Sequence, residues 1–352
     1  MKPPVSTLPF VSVIIPTYMR PQRTGQTILS VLASDYPSDR FEVIVVDSSP
    51  SAEMTEVILR FQQNPRDAAR VHLLRKDPEG PGASWNRGVG EARGELLAFI
   101  DSDCVADPGW LSRGVNCFLD QSRLGIVQGR TLPPPGNPPG IGSRYYCYDK
   151  ESCIYDGCNI FYRKQAFEEV GGSSLYYYWD ARKDSQDLLT RLIPLLTSFR
   201  YILEYTGLDT DLAWRVIERN WKTMFCESAV VYHDVRTLNL FRWLIDEGCY
   251  SYAFPRLVQE HPQIREYLFG RWFWHRSHVF LLFLLIGVFG GLLVHPLAML
   301  LGLPYVYIRA SEPSRFWRGV LLPLRSLVYL PRDLITMCFL LAGSIRHRTL
   351  IV

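Results

Sequence analysis

Asp101 and Asp103 are the residues whose type and spacing point first to chemistry. They follow the apolar run Leu96-Leu97-Ala98-Phe99-Ile100, with Ser102 between them. A short, fully apolar run reads as a buried strand, central in a parallel sheet. In open α/β sheets, ligands bind beyond the carboxyl ends of the strands. Residues i and i+2 of an extended chain point the same way, so both carboxylates could reach one hard cation, Mg²⁺ or Mn²⁺. The competing reading is an ordinary turn or helix cap, which Asp and Ser also favour. Two further strand ends weigh against it. Pro16-Thr17-Tyr18 closes one β-branched run, and Asp47-Ser48-Ser49 closes another. Three polar strand ends in register predict one crevice for a polar, phosphorylated ligand.

The elements that must position these groups alternate in type. Val11 to Tyr18 reads as a strand stopped by proline. Apolar residues at helical spacing follow from Pro21 to Ala33. Phe41 to Asp47 is a second strand, Ala52 to Gln62 a helix and Arg70 to Leu74 a third strand. Ser84 to Ala92 reads as a helix carrying Asn86. This βαβα rhythm predicts a mostly parallel, Rossmann-like sheet with helices on both faces.

Composition narrows the ligand classes. Of the 352 residues, 47% are hydrophobic and 13% aromatic, which is ample for a core. A net charge of +3 gives no footprint for nucleic acid. None of the 8 cysteines forms a C-x-x-C pair, so Cys153 and Cys158 read as buried thiols in a reducing compartment. The N-terminus lacks the basic and apolar regions of a signal peptide. Trp85 and Arg93 stand where G-x-G-x-x-G would need glycine, and no G-x-x-x-x-G-K-[ST] occurs. Phosphate binding is therefore expected to rest on a metal.

The ordered motifs VSVIIPTY (11–18), VIVVDSS (43–49), the Asn86-to-Gly94 segment, LLAFIDSD (96–103), GCNIFYRKQAFEEVGG (157–172), DTDLAWRV (209–216) and VVYH (230–233) resemble glycosyltransferase family 2, the inverting enzymes of GT-A fold. The resemblance spans roughly 9–235. It implies a donor site built from Pro16, Thr17, Tyr18, Asp47, Ser49, Asn86, Asp101, Ser102 and Asp103, with Asp47 accepting from a nucleobase N–H. It implies Asp101, Asp103 and His233 as ligands of Mg²⁺ or Mn²⁺. Asn159, Asp211, Trp214 and Arg215 fall on the acceptor side, and Asp209 corresponds to the general base. Asp209 precedes a helix expected from Leu212 to Asn220, which Thr210 or Asp211 would cap. A carboxylate base needs a raised pKa, from burial and a neighbouring acid.

The sequence also departs from the family. Leu208 replaces the glutamate usual before the base, and Trp85 replaces an arginine before Asn86. The stretch 173–206 is longer than expected and reads as an inserted lid. Arg242-Trp243 partly matches a Q-x-x-R-W motif, but position 239 is Asn, so transfer of a single sugar is expected rather than polymerisation.

Val279 to Ile308 is almost purely apolar, broken by His295, Pro296 and Pro304. It is long enough for one tilted span or for a hairpin bent at His295-Pro296. Arg309, Arg315, Arg318 and Arg325 follow it, and the positive-inside bias favours the hairpin, with two true spans as the alternative. Trp317 to Leu341 suits helices lying in the interface.

The expected architecture is a GT-A domain over 1–237 (nucleotide half 1–105, acceptor half 106–237), a connector at 238–276 and membrane helices at 277–352. The expected activity takes a UDP- or GDP-sugar donor and a lipid-linked or cell-envelope glycan acceptor, at the cytoplasmic face of the inner membrane. The rival is a catalytically inactive scaffold or sensor that binds sugar nucleotide. A nucleotidyltransferase would need a glycine-rich basic loop after the first strand, and Thr17 to Pro21 is not one.

Overall fold

The computed structural model describes residues 8–136, 142–174, 205–311 and 322–352. The expected insertion therefore lies, over 175–204, outside the described residues. The chain divides into two compact units. Met1–Asn137, Tyr145–Tyr177 and Leu208–Val235 form the first, and Pro138–Arg144, Tyr178–Gly207 and Arg236–Val352 the second.

The first unit begins with β1 (Val11–Thr17), α1 (Pro21–Leu32), β2 (Phe41–Asp47), α2 (Glu53–Gln62), β3 (Val71–Arg75), α3 (Pro81–Glu91) and β4 (Leu96–Ile100). Then come β5 (Cys104–Ala106), α4 (Trp110–Asn116), β6 (Leu124–Leu132), β7 (Asn159–Arg163), α5 (Lys164–Glu169), α6 (Leu208–Glu218) and β8 (Lys222–His233). One eight-stranded sheet runs β3-β2-β1-β4-β7-β6-β8-β5. Its first four strands are parallel, and β6 pairs parallel with β8. The antiparallel pairs are β7 with β4, β7 with β6, and β5 with β8.

Every residue of β2 and β4 is buried, as a strand covered on both faces requires. Burying each Val, Leu or Ile contributes about 1.5–3 kcal/mol. Phe99 of β4 stacks on Phe167 and meets Trp85 and Tyr162, which ties α3, α5 and β7 to the central strand.

Two boundaries differ from expectation for identifiable reasons. β1 runs through Pro16 to Thr17 instead of stopping at the proline. Its ladder with β4 covers only Val11 to Ile14, so the N–H that Pro16 lacks is not needed on that side. α3 starts at Pro81, three residues earlier than expected, because Pro81 suits the first helical turn and Gly80 turns the chain at φ 87°.

The second unit contains α7 (Leu240–Glu260), α8 (Arg276–Leu293), α9 (Leu303–Ser311) and α10 (Leu322–His347). A 3₁₀ segment, Pro296–Gly302, joins α8 to α9. The stretches Arg276–Leu293 and Ser326–His347 are long and apolar enough to cross a membrane.

Candidate active site

β4 ends at Ile100, and the chain turns through Asp101-Ser102-Asp103 into β5. The two carboxylates do not share one environment. The Asp103 side chain is 1% exposed, whereas that of Asp101 is 39% exposed. β5 pairs antiparallel with the end of β8 and sets Cys104 opposite His233. His233 Nε2 then lies 3.5 Å from Asp103 and 3.7 Å from Asp101. His233 Nδ1 is 3.0 Å from the Asp234 carbonyl, and Tyr146 packs on the ring at 4.5 Å between centroids. Burial opposes charge on this imidazole. The Cys104 sulfur, the hydrogen bond to Asp101 and the two carboxylates outweigh it and raise the pKa to about 10.

Atoms of Asp103, Cys104 and His233 lie within 4.8 Å of one another. Carboxylate oxygens and an imidazole suit Mn²⁺ or Mg²⁺, and a donor hydrogen bond from Nδ1 would leave Nε2 facing the ion. The carboxylate, thiol and imidazole of these three residues could hold a divalent cation, and Asp101 lies beside them, 3.7 Å from His233. Arg20 Nη1 is bonded to Asp103 at 2.7 Å.

Asp47 is fully buried at the end of β2. One oxygen accepts from the N–H and hydroxyl of Ser49, at 2.9 and 2.5 Å. The other accepts from the Arg75 guanidinium, which also donates to the carbonyls of Ser49 and Ser51. Ser49 Oγ accepts from Met19 N–H at 2.7 Å, which ties this strand end to the loop of Thr17 and Tyr18. Thr17 turns its hydroxyl to Thr24 at 2.7 Å, and Tyr18 is exposed. Pro16 pairs with Val46 in the ladder. A line of contacts therefore runs from Asp47 through Ser49, Met19 and Arg20 to Asp103 and His233.

Asp209 lies in the first turn of α6, which begins at Leu208 rather than Leu212. Its oxygens accept from Thr210 N–H at 2.8 Å and Gly157 N–H at 3.1 Å. Burial and the charge of Asp156 raise its pKa to about 7, against those two hydrogen bonds. Asp156 is itself raised, by burial and then by Asp101, while His233 opposes the rise. Asp156 thus couples the Asp101–His233 pair to Asp209. Leu208, where the family carries glutamate, is buried. The acid that raises Asp209 comes instead from 53 positions earlier in the chain.

The turn bearing Asp156 and Gly157 is held by Gln128. Its amide accepts from Asp156 N–H at 3.2 Å and donates to the Asn159 carbonyl at 3.1 Å. Beneath it, the Trp85 ring packs so closely that a Cβ on Gly157 would lie 2.3 Å from it.

The remaining expected site residues have other surroundings. Asn159 is wholly buried; it accepts from Trp110 Nε1 at 2.8 Å and donates to the carbonyls of Arg130 and Ala229. Asp211 accepts from Arg215 Nε at 2.9 Å and Ser174 Oγ at 3.2 Å, and Arg215 also donates to the Val170 carbonyl. Trp214 donates to the Cys153 carbonyl at 3.0 Å. Asn86 clamps Ser173 through two 2.8 Å bonds, just after Gly172 turns at φ 76°. Ser102 is buried within the metal-site turn. Sequence reading did not single out Asp156, Arg20, Arg75 or Gln128. The βαβ placement of Arg20 and Arg75 at two adjoining strand ends was the only available signal.

The chain is similar to solved and curated proteins. Over 99% of this chain and 89% of the other, it superposes on the mannosyltransferase PcManGT from Pyrobaculum calidifontis, solved with GDP-Man and Mn²⁺ (TM-score 0.58, 15% identity). At that identity the likeness is one of fold. It is 32% identical over 174 residues to glycosyltransferase AglE of Haloferax volcanii, covering 47% of this chain and 56% of that protein. It is 30% identical over 129 residues to the poly(ribitol-phosphate) β-N-acetylglucosaminyltransferase TarS of Staphylococcus aureus, covering 35% and 22%. The chain thus spans about half the length, or less, of these curated relatives. The fold is of the GT-A class. Residues 12–171 match the family described as Glycosyl transferase family 2.

Proposed function

We propose that the chain transfers a single sugar, with inversion, from a nucleoside diphosphate sugar to an acceptor hydroxyl close to a membrane. The observation that supports this most is the run of acids, from Asp47 through Asp103 and Asp101 to Asp156 and Asp209, carried on adjoining strand and helix ends of one compact unit.

Asp47, paired with Arg75, accepts a hydrogen bond from the nucleobase, with Thr17 and Tyr18 beside it. Asp101, Asp103 and His233 would hold a divalent cation. When bound, it supplies positive charge to the diphosphate as negative charge grows there. Asp209 takes the proton of the acceptor hydroxyl. That oxygen bonds to the anomeric carbon from the face opposite the diphosphate, whose C–O bond breaks with its electron pair. A base with a pKa of about 7 is matched to this role near neutral pH. PcManGT was solved with GDP-Man and Mn²⁺, so GDP- and UDP-sugars with Mn²⁺ or Mg²⁺ are the first ligands to test. The apolar helices of the second unit support a bilayer as the surroundings; we take a lipid-linked or envelope glycan as acceptor and the cytoplasmic face of the inner membrane as the place of transfer.

The test is release of nucleoside diphosphate in the presence of Mn²⁺ or Mg²⁺. Asp209→Asn should bind donor without transfer; normal transfer by that variant overturns the base assignment. Leu208 favours a second reading, a chain that binds sugar nucleotide without turnover. Donor binding with no turnover across a panel of acceptors would support it.

A further inference from the structure

The second unit holds two candidate spans, which leaves two topologies for the chain beyond Arg276. In one, α8 crosses the bilayer and α10 crosses back. In the other, α8 returns on itself.

The packing within the unit decides between them. α8 has 18 residues, about 27 Å of helix. After Val294 the chain reverses at His295-Pro296, where His295 Nδ1 accepts from Leu297 N–H. The 3₁₀ segment then lies back along α8. A Cβ on Gly287 would be 2.7 Å from the Ala298 carbonyl, one on Gly291 2.5 Å from Met299, and one on Gly302 2.5 Å from Leu284. The glycines let the two backbones approach to direct contact. α8 and the segment through α9 are the arms of one antiparallel hairpin.

The tip of this hairpin is apolar and open. Leu293 is 81% and Val294 84% exposed, and no charged residue occurs from 279 to 308. The mouth is the reverse. Arg309, at the end of the returning arm, donates to Ser277 Oγ at 2.9 Å, at the start of the outgoing arm. Arg309 Nε also donates to Asp333 Oδ2 at 2.8 Å, which Tyr305 OH reaches at 2.9 Å. Asp333 lies in the middle of α10, beside Arg332, which is bonded to Glu247 of α7 at 2.6 Å.

This knot fixes the level of α10. If α10 spanned the bilayer, Asp333 would lie near its midplane, and the hairpin mouth with it. The arms, about 27 Å long, would then carry their apolar tip well past the far edge of a hydrocarbon layer about 30 Å thick. Leu293 and Val294 would stand in water. Placing the knot at the head groups removes the conflict, since buried charge is cheapest there and the whole apolar hairpin meets lipid.

We propose that the α8–α9 hairpin is the part of this unit that enters the bilayer, with both of its ends on the same face, and that α10 lies at that surface, fastened to the mouth through Asp333. The proposal rests on the membrane attachment inferred above. The test separates the two. Full-length Glu266→Cys and Ser311→Cys variants, at exposed positions before and after the hairpin, are produced in membranes. Sealed vesicles are treated with a membrane-impermeant maleimide, and peptide mass spectrometry reads each thiol apart from the native ones. Both new thiols should label from one face and be protected from the other. Labelling of Ser311→Cys from the face opposite Glu266→Cys would overturn the hairpin while attachment stood. Release of the whole chain by alkaline carbonate would overturn the attachment itself.

Discussion

The pairing of Asp209 with Asp156 makes a pH prediction. Transfer needs the ionised base, and burial with the Asp156 charge holds the Asp209 pKa at about 7. The rate at saturating donor should therefore rise with pH through about 7 and level off above it. Asp156→Asn removes the like charge and should move the inflection to lower pH; an unmoved inflection would show that Asp156 does not tune the base. Removing the base itself, in Asp209→Asn, should lower the rate by about 10²–10⁴. His233 carries a second prediction. With a pKa of about 10 it holds a proton at neutral pH, and a divalent ion must displace that proton to bind Nε2. Apparent Mn²⁺ affinity, read by titration calorimetry or the Mn²⁺ spin signal, should then rise about tenfold per pH unit between roughly pH 7 and 9. His233→Ala should flatten the slope. Asp101, Asp103, Asp209 and His233 were legible in the sequence because each ends or begins an element whose type is plain. Asp156 was not, because its partners Asp101 and Asp209 lie 55 and 53 positions away and only the fold brings the three together.

Among the elements, the first four strands were read almost to the residue, since a β-branched or apolar run fixes both its type and its burial, whereas β5, β6 and β7 were not read as strands. What the sequence did not disclose was how turns are supported from below. Gly157 occurs in a recognisable motif, but its need for glycine comes from the Trp85 ring, which occupies the space a Cβ would take. Gly157→Ala should destabilise by about 1–3 kcal/mol through overpacking, and should also cut transfer, because the same turn donates an N–H to Asp209. Thermal melting and turnover on one preparation check both. Asn159 gives the contrasting case. Its motif suggested the acceptor side, yet its amide is bonded to Trp110, Arg130 and Ala229 inside the sheet. Asn159→Ala strands an indole N–H and two carbonyls and should cost about 1–3 kcal/mol for each group left unpaired, mostly as a lower Tm. The donor KM of the protein that still folds should stay unchanged. A raised donor or acceptor KM without loss of Tm would return Asn159 to the substrate.

For the molecule as a whole, the division into two units predicts how ligands act on stability. The expected donor, metal and base residues all fall in Met1–Asn137, Tyr145–Tyr177 and Leu208–Val235. A ligand stabilises the cooperative unit that binds it, by RT ln(1 + [L]/Kd), or about 2.7 kcal/mol at a hundredfold excess over Kd. For a unit of this size that corresponds to about 5–10 °C. In a detergent-solubilised sample, scanning calorimetry with Mn²⁺ and the correct sugar nucleotide should therefore raise one transition and leave the transition of the helical unit in place. Chelation with EDTA should remove the shift, because the diphosphate would face Asp101 and Asp103 without a cation between them, and like charges at that distance repel. Asp103→Ala should abolish the metal-dependent part in the same way, with the nucleobase contact at Asp47 left to give a weaker response. A donor that raised both transitions equally would mean that the units unfold together, and that the helices of the second unit are held by the same cooperative core as the sheet.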